Sequence, residues 1–331
     1  MATANPAPAQ QDGGGVSRQQ IINILGEQGF IVIFILWAVF LSFSTDSFAT
    51  AGNAFTVLRQ ASIIGIMAIA AHLIILLGDI DLSIASVMSL CGVLMAGLLV
   101  RNGFHPLLAT LTVMAVGGLI GLANGLIITK IGINAIITTM GMASVLEGLA
   151  FIYTGGKTVF GDAIDPIEFL SRGRILTVIP VPVVILFFLY FLAYFMLRHT
   201  TFGAHLFATG NNEKATWLAG VNISRVKLLA FVLAGVLGGF SGVMQVARQG
   251  TATGGMGADF LFPVLTAVVL GGASLQGGRG KIVNTLIAAI FLTTITNGMI
   301  LLGVSIYAQR IVSGAILITA LSLDRLRTIR M

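Results

Sequence analysis

Two carboxylates stand between long apolar segments in the stretch LLGDIDLSIASVMSL, residues 76–90. An unpaired charge is costly to bury, so Asp79 and Asp81 need partners. In a structural role they would accept the free backbone N–H groups at the start of the following helix, with Ser83 as a further capping residue. Two functional roles stay open beside this one. The carboxylates would line a polar pathway, because ionisable residues at membrane depth usually face a cavity, or they would bind a coupling proton or sodium ion.

The other polar residues form no catalytic or metal-binding pattern. Glu147 lies in an apolar segment without an evident partner and is a second pathway candidate. Arg310 lies near one end of the last apolar segment, where its long side chain can reach the interface. The four histidines are scattered, and TGGKT at 154–158 lacks the first glycine of a phosphate-binding loop, with Phe151 in its place. We therefore expect no catalytic residue, metal or cofactor in this chain, and any ATP would be bound by another subunit.

The composition requires a lipid environment. Of the 331 residues, 56% are hydrophobic and only 9% are charged, whereas a soluble domain is about a quarter charged. The net charge of +6 comes without a basic cluster interleaved with aromatic residues, so no nucleic-acid partner is predicted. Apolar segments of the length that spans a bilayer are predicted at 29–43, 55–76, 84–100, 107–129, 134–153, 175–196, 227–247, 260–272, 282–301 and 305–322.

These segments predict an all-α, polytopic membrane protein with about ten transmembrane helices. A disordered tail and a short juxtamembrane segment are expected at 1–28, the membrane domain at 29–323 and a cytoplasmic tail at 324–331. An even number of spans puts both termini on one side. With the termini in the cytoplasm, 11 of the 18 basic residues lie inside, 6 lie outside and Arg310 lies within the last span. The excess inside favours this orientation.

The two halves of the chain resemble each other. Asn124 begins NGLI and Asn297 begins NGMI, and a further glycine follows the glycine of each motif after 16 residues. The turn around Asp81 has a weaker counterpart around Asp259. Because five spans per copy is an odd number, the second copy would be inserted upside down, as in transporters built from inverted repeats. Seven residues are therefore the candidates for the pathway and its turns: Asp79, Asp81, Ser83, Asn124, Glu147, Asp259 and Asn297.

Glycines recur at four-residue spacing in two of the predicted spans. They lie at 117, 121 and 125 in the fourth span, and at 235, 239, 238 and 242 in the seventh. Small residues at this spacing let helices in lipid approach closely. We expect close helix packing at these positions rather than a gating hinge.

Two connections are longer than a tight turn needs. The outer one, 154–174, carries exposed charge of both signs, which favours a solvated loop over a docking face for a soluble partner. Its candidate docking residues are Asp162, Asp165, Glu168, Arg172 and Arg174.

The inner connection, 200–227, predicts a short amphipathic helix. Asn212 caps it, Glu213 favours its first turn and Gly220 ends it. Trp217 and Leu218 then need burial on the membrane surface, on the protein's own helices or in a partner's groove.

Five motifs, in this order, resemble the bacterial ribose-type ABC transporter permeases: LLGDIDLSIASVMSL, GLANGLIITKIGINAIITTMG, IYTGGKT, GNNEKATWLAGVNISRVKLLAFVLAG and VVLGGASLQGGRG. The resemblance covers about residues 55–323. It implies a subunit of an ATP-driven sugar importer in the inner membrane, rather than an ion-coupled secondary transporter. The implied partners are membrane lipid, a second permease chain, identical or homologous, two cytoplasmic ATP-binding subunits, and a periplasmic or lipid-anchored sugar-binding protein.

The resemblance also assigns residues. Residues 211–220 would form the coupling helix that enters the ATP-binding subunit, with the outer loop receiving the binding protein. The chain departs from the family's GGIDLS pattern, because Asp79 and Ala85 replace glycines. Many members also carry a basic residue near the position of Glu147. Because of these departures, the resemblance does not identify which sugar is transported.

Overall fold

The computed structural model describes the backbone of residues 18–329 and the side-chain surroundings of residues 30–322. Thirteen α-helices are present within this range. They are α1 (Arg18–Ser44), α2 (Ala51–Leu76), α3 (Ile84–Val100), α4 (Pro106–Leu126), α5 (Ala135–Thr154), α6 (Asp165–Arg172), α7 (Val181–His199), α8 (Thr201–Asn211), α9 (Glu213–Leu218), α10 (Ile223–Gln249), α11 (Leu261–Leu270), α12 (Ile282–Leu301) and α13 (Ile306–Ile329). Four two-residue strands join them: β1 (Val159–Phe160), β2 (Arg174–Ile175), β3 (Ile179–Pro180) and β4 (Thr251–Ala252).

The predicted class, an all-α polytopic membrane protein, is confirmed. Among the described residues, six helices are long and apolar enough to cross a membrane, and four further apolar helices are shorter: Phe30–Ser44, Ile84–Val100, Ala258–Leu270 and Ile306–Ser322. Each of the ten predicted segments coincides at least in part with one of these ten helices. How many of them cross the membrane stays a prediction.

Both predicted boundaries of the membrane domain, at residues 29 and 323, fall inside helices. α1 begins at Arg18, inside the juxtamembrane segment, and residues 1–17 of the predicted tail lie outside the described residues. At the other end α13 continues to Ile329, through most of the predicted cytoplasmic tail.

The recurrent glycines pack α4 against α10, as predicted. A Cβ atom at Gly117 would collide with the carbonyl oxygen of Gly235, and a Cβ atom at Gly121 would collide with the carbonyl oxygen of Phe231. Gly242 meets α3 in the same way, close to the backbone of Met88. In lipid, where apolar side chains give little drive to associate, such backbone approach supplies the contact between helices.

Two buried clusters surround this crossing. The larger one is centred on α2, whose residues from Ile63 to Leu76 are almost all buried, and it extends to α7, α10, α11 and α12. The smaller one joins α3 to the final turns of α10 and to the outer connection through Ile164 and Ile167. α2 and α10 therefore form the centre of the helix bundle.

The outer connection is folded over the bundle, although five of its six charged residues are exposed, as expected of a solvated segment. α6 buries Ile167 and Ser171, and the Ser171 hydroxyl donates to the Met244 carbonyl oxygen over 2.6 Å. β1 pairs with β4 and β2 pairs with β3, both antiparallel. The spacing of Ile164, Ile167 and Ser171 places them on one helical face, and this face packs on α10.

Candidate functional site

Residues 77–83 form a break between α2 and α3, and Asp81 makes the main hydrogen bonds within it. Its Oδ1 atom accepts the Ser83 backbone N–H over 2.8 Å and the Ser83 hydroxyl over 2.6 Å. Asp81 is only 6% exposed, and it lies two residues before the N-cap position of α3. A carboxylate at this place satisfies a donor at the helix start and interacts favourably with the helix dipole.

Ser83 occupies the N-cap position of α3 but does not cap it, so that expectation is wrong. Its side chain makes no bond to the start of α3. The hydroxyl instead donates to Asp81 and accepts from Asn124 Nδ2 over 2.9 Å. This fully buried serine thus ties the break to α4 through Asn124.

A second bond ties the break to α5. The Leu82 backbone N–H donates to Thr139 Oγ1 over 3.1 Å, and the Thr139 side chain is buried. The break is therefore held by α4 and α5 together. Bonds of this kind satisfy unwound backbone without water.

Asp79 faces a different neighbourhood from Asp81. Lys227 Nζ, in the second turn of α10, lies 3.3 Å from Asp79 Oδ2 and 3.3 Å from Glu213 Oε2. Burial raises the pKa of the Asp79 carboxyl above its ordinary value, while the Lys227 ammonium opposes that rise. The three charged side chains join the break to the bases of α9 and α10.

Four glycines form a backbone junction beside these charges: Gly78, Gly210, Gly277 and Gly278. Gly78 has φ +80°, and a Cβ there would lie 3.1 Å from the Gln276 carbonyl oxygen. A Cβ at Gly210 would collide with the Leu76 carbonyl oxygen, which itself accepts the Gly278 N–H over 2.8 Å. The end of α2, the end of α8 and the 271–281 connection therefore meet with almost no side chain between them, and only glycine fits.

The short helix α9 leaves its apolar end uncovered. Asn212 Oδ1 accepts the Ala215 N–H over 2.9 Å as its N-cap, and Gly220, at φ +86°, follows its last turn. Trp217 is 64% exposed and Leu218 is 70% exposed. The predicted helix is thus confirmed. Packing of these two side chains on the protein's own helices is excluded, which leaves the membrane surface or a partner.

The remaining pathway candidates do not gather at the break. Asn297 exchanges two amide hydrogen bonds with Asn53, at the opposite end of α2, over 3.0 and 2.9 Å. Asp259 pairs with Arg310 over 2.9 Å, and both side chains are exposed. Glu147 is exposed on α5. Among the described residues, therefore, the break contains only Asp79, Asp81 and Ser83 of the seven, and Asn124 contacts it from α4.

The candidate docking residues fall into two groups. Glu168 and Arg172 form an ion pair over 2.6 Å, and the Arg172 guanidinium also donates to the Arg248 carbonyl oxygen, so these two fasten α6 to α10. Asp162, Asp165 and Arg174 are exposed. In the part of the chain that the structure describes, no cluster of His, Cys, Asp and Glu could hold a metal ion.

Three side chains that make these contacts are not among the site residues that the sequence predicts: Lys227, Thr139 and Asn53. Of these, Lys227 carried a usable signal, because a lysine at the base of an apolar helix needs a carboxylate nearby.

The fold is a bundle of apolar helices of the kind that membrane proteins form, with an irregular segment between α2 and α3. Residues 53–321 match the family model described as the permease component of branched-chain amino acid transport systems, and the chain belongs to that family. The chain is similar to the ribose import permease proteins of Escherichia coli K12 and Bacillus subtilis. The identities are 37% over 304 residues, covering 91% of this chain and 94% of the relative, and 36% over 297 residues, covering 89% and 91%.

A third relative is an L-arabinose ABC transporter permease of Azospirillum brasilense, 32% identical over 324 residues, which cover 97% of this chain and 92% of the relative. No solved structure matches the chain significantly.

Proposed function

We propose that this chain is the permease subunit of an ATP-driven importer that translocates a monosaccharide or related polyol delivered by an external binding protein. The observation that carries the proposal is its likeness, along almost the whole chain, to permeases named for the import of ribose and arabinose. A D-allose permease of Escherichia coli, 30% identical over 298 residues, points to the same substrate class. ATP would be bound by a partner subunit, and this chain would need no cofactor.

The ten helices would form a 5+5 inverted repeat, and helix contacts support this arrangement. With α2 matched to α10, α3 to α11, α4 to α12 and α5 to α13, the contacts pair up. α4 packs on α10 as α12 packs on α2, and α3 packs on α10 as α11 packs on α2. α3 meets α4 and α5 as α11 meets α12 and α13. The outermost helices, α1 and α7, both pack on α12 and do not follow this pattern.

The sugar pathway would form between this chain and a second permease chain, along α5 and α13. α5 packs on α3 and otherwise presents an exposed face that includes Glu147. Gly141 on α5 and Gly314 on α13 are matched in the repeat, and neither has an atom within 4 Å of the place of its Cβ. A carboxylate on such a face needs water or a polar partner, which an aqueous pathway supplies and lipid does not.

α9 would be the coupling helix that enters the groove of a cytoplasmic ATP-binding subunit. Its exposed Trp217 and Leu218 suit the helix-in-groove mode of recognition. The glycine junction ties α8, directly before α9, to the α2–α3 break. A displacement of this helix would therefore reach the membrane domain through backbone contacts.

On the outer face, Asp162, Asp165 and Arg174 would contact the sugar-binding protein, with Glu168 and Arg172 holding α6 in place. Both termini would lie in the cytoplasm of a bacterial cell, with the chain in the inner membrane. The excess of basic residues on the proposed inner side supports this orientation.

The proposal is tested by replacing Trp217 and Leu218 with alanine in the complete transporter. Because these side chains would fill the groove, we expect the variant to assemble its membrane domain but to lose the ATP hydrolysis stimulated by the binding protein. A matched control removes two equally apolar, exposed side chains of α7, Phe187 and Phe188, 49% and 58% exposed. Stimulated hydrolysis should persist in the control. Full stimulation in the Trp217→Ala/Leu218→Ala variant would refute the assignment of α9.

A further inference from the structure

Lys227 stands between two carboxylates that belong to different functional elements. Glu213 is the first residue of α9, and Asp79 lies in the break between α2 and α3. Both carboxylate oxygens are 3.3 Å from the Lys227 ammonium. Ionic contacts among these three residues therefore connect α9, through α10, to the segment between α2 and α3.

The two halves of this triad differ in burial. The side chains of Lys227 and Asp79 are 13% and 17% exposed, whereas that of Glu213 is 57% exposed. Removing one partner of a poorly solvated pair leaves the other charge uncompensated, so Lys227 and Asp79 hold each other firmly. The Glu213 contact is largely solvated and is weak by comparison.

Because of this difference, the Glu213 contact can be lost while the Lys227–Asp79 pair stays formed. One ammonium faces two carboxylates, so Lys227 keeps a partner when Glu213 moves away. A movement of α9 can therefore alter the Glu213 contact without leaving a bare charge in the protein. Such a movement changes the charge arrangement around Asp79, because the same Lys227 ammonium contacts both carboxylates.

We propose that Asp79 and Lys227 are positioning residues that link the state of α9 to the geometry of the α2–α3 break. The inference rests on the proposed function, in which α9 meets the ATP-binding subunit.

The triad can be broken without dismantling the fold around it. Asp81, Ser83 and Asn124 close the break by hydrogen bonds that do not involve Asp79. The glycine junction also holds the end of α2 independently of the charges. Loss of Asp79 should therefore disturb coupling more than assembly.

The test uses the complete transporter, with its ATP-binding subunits and binding protein, in proteoliposomes supplied with a mixture of radiolabelled ribose, allose and arabinose. The measured quantity is sugar taken up per ATP hydrolysed. Asp79→Asn and Lys227→Met should lower this ratio at least about fivefold, the lower end of ordinary coupling between sites, while ATP hydrolysis continues. The complete reversal Asp79→Lys/Glu213→Lys/Lys227→Asp should restore the ratio to within about twofold, because opposite charges again meet at both contacts.

Arg225→Met is the matched control, since it removes an exposed cation two residues away on the same helix, and it should leave the ratio unchanged. An unchanged ratio in Asp79→Asn, or no restoration by the complete reversal, would overturn the proposal. If a single variant does not assemble, Glu213→Gln breaks only the exposed arm, and it must also lower the ratio for the proposal to stand. A wild-type complex without ATP-dependent uptake would contradict the proposed function instead.

Discussion

Replacing Asp81 measures how the α2–α3 break is held. Asp81 accepts two hydrogen bonds from Ser83. Because Asp81 is buried, water cannot replace either bond, so each contributes to the free energy of unfolding. In Asp81→Asn the amide oxygen can accept both bonds but without the charge, and hydrogen bonds to charged groups exceed neutral ones by about 1 kcal/mol each. The variant is therefore expected to lose about 1–2 kcal/mol, since the neutral amide is also cheaper to bury.

Asp81→Leu removes the acceptor altogether. The Ser83 N–H and hydroxyl are left unsatisfied at about 1–3 kcal/mol for each group, so we expect a loss of about 3–5 kcal/mol. Reversible unfolding in mixed detergent micelles gives both free energies, and sugar uptake should fall in the same order. Asp259→Leu is the control, because an exposed ion pair contributes about 0–1 kcal/mol. Equal losses for Asp81→Asn and Asp81→Leu would refute the hydrogen-bonded account of the break.

Three further results are expected. Gly121→Val should destabilise the membrane domain by at least about 1–3 kcal/mol in the same unfolding assay, because its side chain would strike the α10 backbone, whereas Gly148→Ala, in open space, should not. Asn53→Ala and Asn297→Ala should be non-additive in a double-mutant cycle, since each removes the same reciprocal pair of bonds; additive losses would contradict that pairing. A cysteine placed at residue 46, outside the cell in the proposed orientation, should react with a membrane-impermeant thiol reagent on intact spheroplasts. One placed at residue 214, on the cytoplasmic side, should not react, and the opposite pattern would reverse the proposed orientation.

The parts of the site that depend on neighbouring residues could be predicted from the sequence. The interaction of Asp81 with the start of α3 and the capping of α9 by Asn212 each involve groups within three residues of one another, where residue type and spacing decide the geometry. The glycine contact between α4 and α10 was also predictable, because four-residue spacing indicates a helix face that another backbone can approach.

The features that could not be predicted from the sequence depend on packing between different segments of the chain. α8 was not predicted because Gly203 and Gly210 are poor helix formers. A larger side chain at either place would strike the backbone of Leu197 or Leu76, so tertiary contact selects glycine inside the helix.

The ion pair of Asp79 and Lys227 joins residues far apart in sequence, and no local pattern brings them together. The same holds for the outer connection, where packing of α6 on α10 overrides the polar character of the segment.

The central claim is that this chain works as the membrane subunit of an ATP-driven importer. Its most direct test is mild detergent extraction of the native complex, followed by mass measurement of the intact assembly. The account predicts that ATP-binding subunits co-purify in a one-to-one ratio with permease chains and that two permease chains are present. Repeated purification of the folded chain alone, with sugar uptake driven by an ion gradient in the absence of ATP, would contradict it.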